Sequence, residues 1–239
     1  VTRRRWIADE FSGDHAALLG DHADHLARVL RARVGQEFDI STADVVRRGR
    51  ISLVEDGRVE FELAEEVPFA KSAEITLLVA VFKFDRMEWA IEKCTELGVA
   101  RIIPVISRRT DSHLAAASGK RIERWQRVAR QAAEQSRRAS PPEVVAPLKL
   151  SAALNVPDGC RIVLAESEEE TLLRDVVGRS SSNSLFALAI GPEGGWAEDE
   201  LSSFREAGWI SASMGNTILR AETAAIAATA VVASALFAL

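Results

Sequence analysis

Val59, Phe61 and Leu63 alternate with Glu60 and Glu62, the two-residue period of a strand with one wet face. Asp56-Gly57 ahead of them is a hairpin signal, with Ile51-Ser52-Leu53-Val54 as the partner strand. Phe38-Asp39-Ile40 predicts another strand. A short helix interrupts from Asp21 to Leu30, with Leu26, Val29 and Leu30 on its apolar side and Gly35 as a stop. Residues 1–66 therefore read as mostly β.

Glu65 to Lys71 predicts a linker, and beyond it the texture changes to alternating strands and helices. Ile75 to Phe82 is a continuous apolar run, as expected of a strand buried on both faces. Asp85 to Leu97 carries Met87, Ala90, Ile91, Cys94 and Leu97 at helical spacing and stops at Gly98. Arg101–Ile106, Arg161–Ala165, Leu185–Ile190 and Ile210–Met214 predict further strands. Gly119–Arg138, Leu172–Val177, Leu201–Ala207 and the chain from Glu222 onward predict helices. Ser180 to Asn183 predicts a loop. This alternation argues for a mainly parallel sheet covered by helices, hence an α/β fold over 69–239 behind a smaller β domain over 1–68.

Composition sharpens this picture in three ways. With 239 residues and 47% hydrophobic content, the chain can bury a sizeable core. Its net charge of −5 argues against a general polyanion binder, yet residues 69–138 carry 14 basic and 8 acidic side chains. Ala224 to Leu239 is uncharged but rich in alanine and short for a membrane span, so a buried helix is expected and no membrane. Thr2 to Trp6 has no apolar segment behind it, so it is not expected to be a signal peptide. Cys94 and Cys160 read as small buried hydrophobes of a cytosolic protein, and the four histidines lack metal-ligand spacing, so no metal is expected.

The chemistry concentrates in Ile190-Gly191-Pro192-Glu193-Gly194-Gly195-Trp196. The stretch follows a buried strand and precedes Glu198-Asp199-Glu200, the acidic first turn of a helix. Open α/β sheets place ligands at such loops. It is neither a Gly-x-Gly-x-x-Gly fingerprint nor a P-loop, since no lysine follows. It suits a ligand held by backbone groups, such as an adenine ring or an amino-acid tail.

Met214 to Thr223 repeats the strand, glycine turn and helix order. Arg220 stands just ahead of that helix, where a cation opposes the helix dipole. It either pairs with an acid such as Glu222 or meets an anionic group from outside. Lys120, Arg121, Arg124, Arg127, Arg130, Arg137 and Arg138 face only Glu123 and Glu134, with Trp125 among them, which favours a phosphate-contacting surface.

Five motifs then carry a resemblance: His25–Arg31, Asp85–Gly98, Ala132–Ser136, Ile190–Gly195 and Gly215–Ala224. In this order, over nearly the whole chain, they resemble the bacterial ribosomal RNA methyltransferases of the SPOUT (trefoil-knot) class that methylate N3 of a uridine in small-subunit rRNA. The resemblance implies an N-terminal PUA-like β-barrel that helps hold RNA and a C-terminal SPOUT α/β domain with a deep trefoil knot. It implies a cytoplasmic homodimer acting on 16S rRNA in the small ribosomal subunit or its precursor.

S-adenosylmethionine would be cradled by three loops of this sequence. These comprise Leu164, Ala165 and Glu166; Ile190, Gly191, Pro192, Glu193, Gly194 and Gly195; and Met214, Gly215, Ile218, Leu219, Arg220 and Thr223. RNA contacts are expected from Arg3, Arg4, Arg28, Arg31, Lys83, Arg86, Arg124, Arg127 and Arg138. Arg220 is the expected catalytic cation, because the anion formed when N3 loses its proton spreads onto O2 and O4. The sequence departs from the family pattern at Phe84, Arg137 and Met214. None of these removes the cofactor loops.

Overall fold

A computed structural model describes residues 5–42, 45–69, 74–180 and 185–236. The predicted loop positions Ser181, Ser182 and Asn183 lie outside the described residues, as do Arg3 and Arg4. The chain divides into two compact units: Val1–Lys71 with Ala133–Pro141, and Ser72–Ala132 with Pro142–Leu239.

The first unit is built on a six-stranded sheet of order β1-β4-β5-β6-β3-β2. Its strands are β1 (Arg5–Ile7), β2 (Glu10–Ser12), β3 (His15–Leu19), β4 (Glu37–Thr42), β5 (Val45–Glu55) and β6 (Arg58–Glu66). β1 pairs with β4 in parallel, and the other pairings are antiparallel. The β5–β6 hairpin turns at Asp56-Gly57 as its sequence predicts, with Gly57 at φ +70°. Val59, Phe61 and Leu63 point inward and pack with Leu18, Leu26, Ile40 and Ile51.

The helix predicted over 21–30 forms as α1 (Gly20–Asp24), running straight into a π-helical turn, His25–Val29. It stops earlier than the glycine at 35 suggests. Arg31 adopts φ +53°, and the Ala32 N–H closes back onto Leu26 O at 3.1 Å.

In the second unit β7 (Ile75–Ala80), β8 (Arg101–Ile106), β9 (Glu143–Val144), β10 (Leu148–Lys149), β11 (Cys160–Leu164), β12 (Phe186–Ile190) and β13 (Ile210–Ala212) form a sheet. Its order is β10-β8-β7-β12-β11-β13, with β9 also on β8, and every pairing is parallel. The helices are α2 (Phe84–Glu96), α3 (Ser112–Ser118), α4 (Ile122–Gln135), α5 (Leu150–Ala153), α6 (Leu173–Gly178), α7 (Glu198–Glu206) and α8 (Ala221–Leu236).

Both sheet faces are covered, which is why the strands read as apolar runs. On one face Ile75, Leu77 and Val79 meet Met87 and Ile91 of α2 and Ala225, Ala228 and Val232 of α8. On the other, Leu78, Ala80, Ala187 and Ala189 meet Trp196, Phe204 and Trp209. The alanine-rich end of the chain is thus a packed helix. Its small residues face the core, and no helix of the described residues is long and apolar enough to cross a membrane.

The basic helix predicted over 119–138 forms as α4, shortened at both ends to Ile122–Gln135. α3 starts at an Asp111 cap, whose Oδ1 accepts the His113 N–H at 2.8 Å. A 3-10 turn at Gly119–Arg121 follows, and α4 ends at Gln135, with Arg137 at φ +60°. Trp125 is fully buried, edge-on to Phe84 at 6.1 Å, while the Arg121 guanidinium lies 4.5 Å above the Phe84 ring. Trp125 is therefore core rather than part of a basic surface. Phe84 has an evident packing role, and Met214 likewise packs against the core.

Candidate functional site

All parallel strands of the second unit's sheet end on one edge, and a cavity of about 860 Å³ opens there. Its walls are the segments that leave β11, β12 and β13: residues 164–169, 190–196 and 212–221. Arg86 of α2, Arg109 just past β8, Leu172, Leu201 and Ala224 complete it. The structure brings together Leu164, Ala165, Glu166, Ile190, Gly191, Pro192, Glu193, Gly194, Gly195, Met214, Gly215, Ile218, Leu219 and Arg220 in this one lining. Thr223 is not in it and is exposed on the first turn of α8.

The glycine loop is tightly folded. The Gly195 N–H donates to Pro192 O at 2.8 Å, and Gly195 sits at φ +70°, a conformation that L side chains adopt only with strain. Trp196 then dives into the core against Phe204, ring centroids 4.9 Å apart. Four residues on, Glu200 is buried in the first turn of α7.

Ion pairing rearranges the roles read from the chain. Glu222 is buried, and its Oε1 lies 3.7 Å from Arg86 Nε. Arg86 Nη1 also donates to Glu193 Oε1 at 2.7 Å. So Glu222 pairs with Arg86 rather than with Arg220, and Arg86 is a wall residue of the cavity. Arg220 is exposed and has no ion-pair partner among the described residues.

Arg109 Nη1 donates to Gly194 O at 2.6 Å. Sequence reasoning missed Arg109, although its place just after a sheet strand is the same signal that marks the glycine loop. It also missed Glu168, whose Oε1 accepts N–H groups from Thr171 at 2.9 Å and Glu170 at 3.0 Å. These bonds hold its carboxyl below the usual carboxylate range.

The remaining cations scatter. In the second unit Lys83 and Arg127 are exposed, and Arg124 is exposed and bonds Glu88 at 3.1 Å. In the first unit Arg31 is exposed, and Arg28 is exposed but pairs with Asp24 and Asp56. Arg138 does not face solvent as a phosphate contact would. It is 9% exposed, and burial pushes its guanidinium down to about 10.

The lining combines apolar side chains (Leu164, Ile190, Leu219), backbone at Gly191, Gly194 and Gly215, and carboxylates at Glu166, Glu168 and Glu169. Its volume is right for a small-molecule ligand. A flat heterocycle with a cationic tail fits those walls, because acids offset the cation and bare backbone meets the ring edge. Among the described residues no group of three or more His, Cys, Asp or Glu side chains is placed to hold a metal ion.

Comparison with known proteins places this cavity in context. An RNA methyltransferase domain family matches residues 70–233. The ribosomal RNA small subunit methyltransferase E of Rickettsia conorii is 32% identical over 92% of this chain and 87% of its own. That of Mycobacterium bovis is 30% identical over 91% and 85%. The crystal structure of the Neisseria gonorrhoeae enzyme of the same name, bound to S-adenosyl methionine, superposes with a TM-score of 0.83. It is 29% identical and covers 95% of each chain. With its glycine loop and parallel sheet, the chain belongs to the ribosomal RNA small subunit methyltransferase E family of RNA methyltransferases.

Proposed function

We propose that the protein transfers a methyl group from S-adenosylmethionine to N3 of a uridine in 16S rRNA. One observation carries this reading: a single cavity lined by three strand-end loops, in a chain whose relatives are named as small-subunit rRNA methyltransferases. When bound, S-adenosylmethionine supplies an electrophilic methyl carbon on sulfur.

The chain's own residues bind, orient and exclude water. Gly191, Gly194 and Gly215 offer bare backbone to the adenine and amino-acid tail, and Ile190, Leu164 and Leu219 cover apolar surface. Glu166 offers a carboxylate to the positive charge. Arg220, uncommitted to an acid among the described residues, faces the uracil and stabilises charge on O2 and O4 as N3 loses its proton. Glu193 and Glu222 both lie against Arg86, so neither is assigned as the base. The target base must leave its stack to reach the donor.

In this reading the first unit is a PUA-like barrel that grips RNA through Arg3, Arg4, Arg28 and Arg31, and the second is a SPOUT domain that uses Lys83, Arg124 and Arg127. The six-stranded sheet with its hairpins supports the barrel. β12, inserted between the earlier strands β7 and β11, supports the deep trefoil knot. The enzyme works as a homodimer in the cytoplasm, on the small subunit or its precursor.

Calorimetry with S-adenosylmethionine and mass spectrometry of rRNA nucleosides from a deletion strain test this. Binding, with loss of 3-methyluridine in the deletion strain, is expected. No binding, or an unchanged nucleoside profile, overturns the reading. Arg220→Ala is expected to lower turnover on small subunits by about 100-fold.

A further inference from the structure

The glycines of the loop offer few ties of their own. Gly191, Gly194 and Gly195 have no side chains; the Gly195 N–H donates to Pro192 O, and Trp196 anchors the far end of the loop in the core. Two arginines from the neighbouring strand ends reach it. Arg86, in the first turn of α2 after β7, grips the Glu193 carboxylate at 2.7 Å. Arg109, three residues past β8, grips the Gly194 carbonyl at 2.6 Å.

The two arginines differ in what else they touch. Arg109 has no acid partner among the described residues, so its effect ends at the loop. Arg86 also approaches Glu222, which is 3% exposed and whose Oε2 has no hydrogen-bond partner among the described residues. A buried carboxylate beside a single cation depends on that cation. Glu222 lies two residues beyond Arg220, on the first turn of α8. One guanidinium thus joins the loop after β12 to the start of the helix that the exposed Arg220 immediately precedes.

We infer that Arg86 and Arg109 are positioning residues that set the glycine-loop wall from two sides, and that Arg86 also couples that wall to the placement of Arg220. The ligand's identity here rests on the methyl-transfer reading above. Arg109 acts on the cofactor alone, and Arg86 acts on the cofactor and on the reacting base.

The test measures S-adenosylmethionine affinity by calorimetry, and kcat and the KM for S-adenosylmethionine with unmodified small subunits as acceptor, for Arg109→Met, Arg86→Met, Glu193→Gln and the Arg86→Met/Glu193→Gln double variant. Arg109→Met is expected to weaken cofactor binding about tenfold, with the loss in KM. Arg86→Met is expected to weaken binding about tenfold and to lower kcat about tenfold as well. Glu193 is half-exposed, so Glu193→Gln will fold even where Arg86→Met does not, and it is expected to reproduce the binding loss. In the double variant the two binding losses are expected to overlap rather than multiply.

A wild-type protein that fails to bind S-adenosylmethionine overturns the functional reading. Wild-type binding with every variant within about twofold overturns this inference alone. Multiplying losses in the double variant refute action through Glu193. A change in KM without kcat in Arg86→Met refutes the coupling to Arg220.

Discussion

The Arg108 backbone N–H donates to Oε1 of Glu200 at 2.8 Å, while Oε2 of the same carboxylate accepts the Ala197 N–H at 2.9 Å. One buried acid thereby satisfies the N-terminus of α7 and pins the segment after β8 to it. An acid in a helix's first turn is favoured by the dipole, and its burial is tolerated because both oxygens are bonded. Glu200→Ala is expected to cost about 2–3 kcal/mol, since two N–H groups lose their partner. Urea unfolding measures it, and a change below about 0.5 kcal/mol would show that water replaces the carboxylate freely.

Gly195, in the cavity wall, sits at φ +70°, where an L side chain would be strained. A Cβ there has space, its nearest neighbours being Arg109 Nη1 at 3.9 Å and Glu166 Oε2 at 4.0 Å. The cost of Gly195→Ala is therefore conformational, about 1–2 kcal/mol. Thermal denaturation should show that loss together with weaker S-adenosylmethionine binding in calorimetry. Unchanged affinity would mean the loop relaxes without disturbing the wall.

Gly49 presents the opposite case. Its backbone is ordinary, but a Cβ would fall 2.4 Å from Ile40 Cγ1 and 3.4 Å from Leu63 Cδ2. Ile40 is fully buried in the first unit's core and cannot swing away. Gly49→Ala is expected to destabilise the first unit by about 1–3 kcal/mol through overpacking. Hydrogen exchange should show faster opening of β4 and β5, and protection equal to wild type would contradict the close approach.

Cys94 is fully buried, and desolvation pushes its thiol up to about 12. The folded state then keeps its proton where the unfolded chain, at an ordinary value of about 8.5, gives it up. A raised value in the folded state means stability is intact below the unfolded value and is lost as pH rises toward 12. The slope approaches about 1.4 kcal/mol per pH unit. Melting temperatures from pH 8 to 11 should fall more steeply than in Cys94→Ala. At pH 8 iodoacetamide should leave Cys94 unmodified in the folded protein, and rapid labelling would refute its burial.

Much of the architecture was legible because it follows from local rules. The alternation from Val59 to Leu63 set which face of β6 is buried, and Asp56-Gly57 set its turn. The apolar runs at 75–80 and 186–190 marked strands covered on both faces. The loops after β12 and β13 were legible as ligand walls from their strand, glycine turn and helix order, while the loop after β11 entered only through the family resemblance.

Other features were decided by contacts between residues far apart in sequence. The basic spacing around Trp125 looks like a continuous surface helix. The helix forms over Ile122–Gln135, yet its indole turns inward and fills the core beside Phe84. The parallel pairing of β1 with β4 has no local signature. Arg86 and Arg138 read alike as RNA-contacting cations and Arg109 went unread, and only packing separates the three. Arg86 turns to Glu193 and Glu222, Arg109 turns to a carbonyl, and Arg138 is buried.

The sequence by itself determined the periodicities, the turns and the glycine loop from Ile190 to Trp196, because backbone sterics and side-chain alternation act over a few residues. The tertiary structure alone decided which cation meets which acid and what holds that loop in place. Its glycines carry no side chains to fix themselves, so the stretch between Pro192 and Gly195 depends on arginines that the sheet brings in from 85 and 107 residues away.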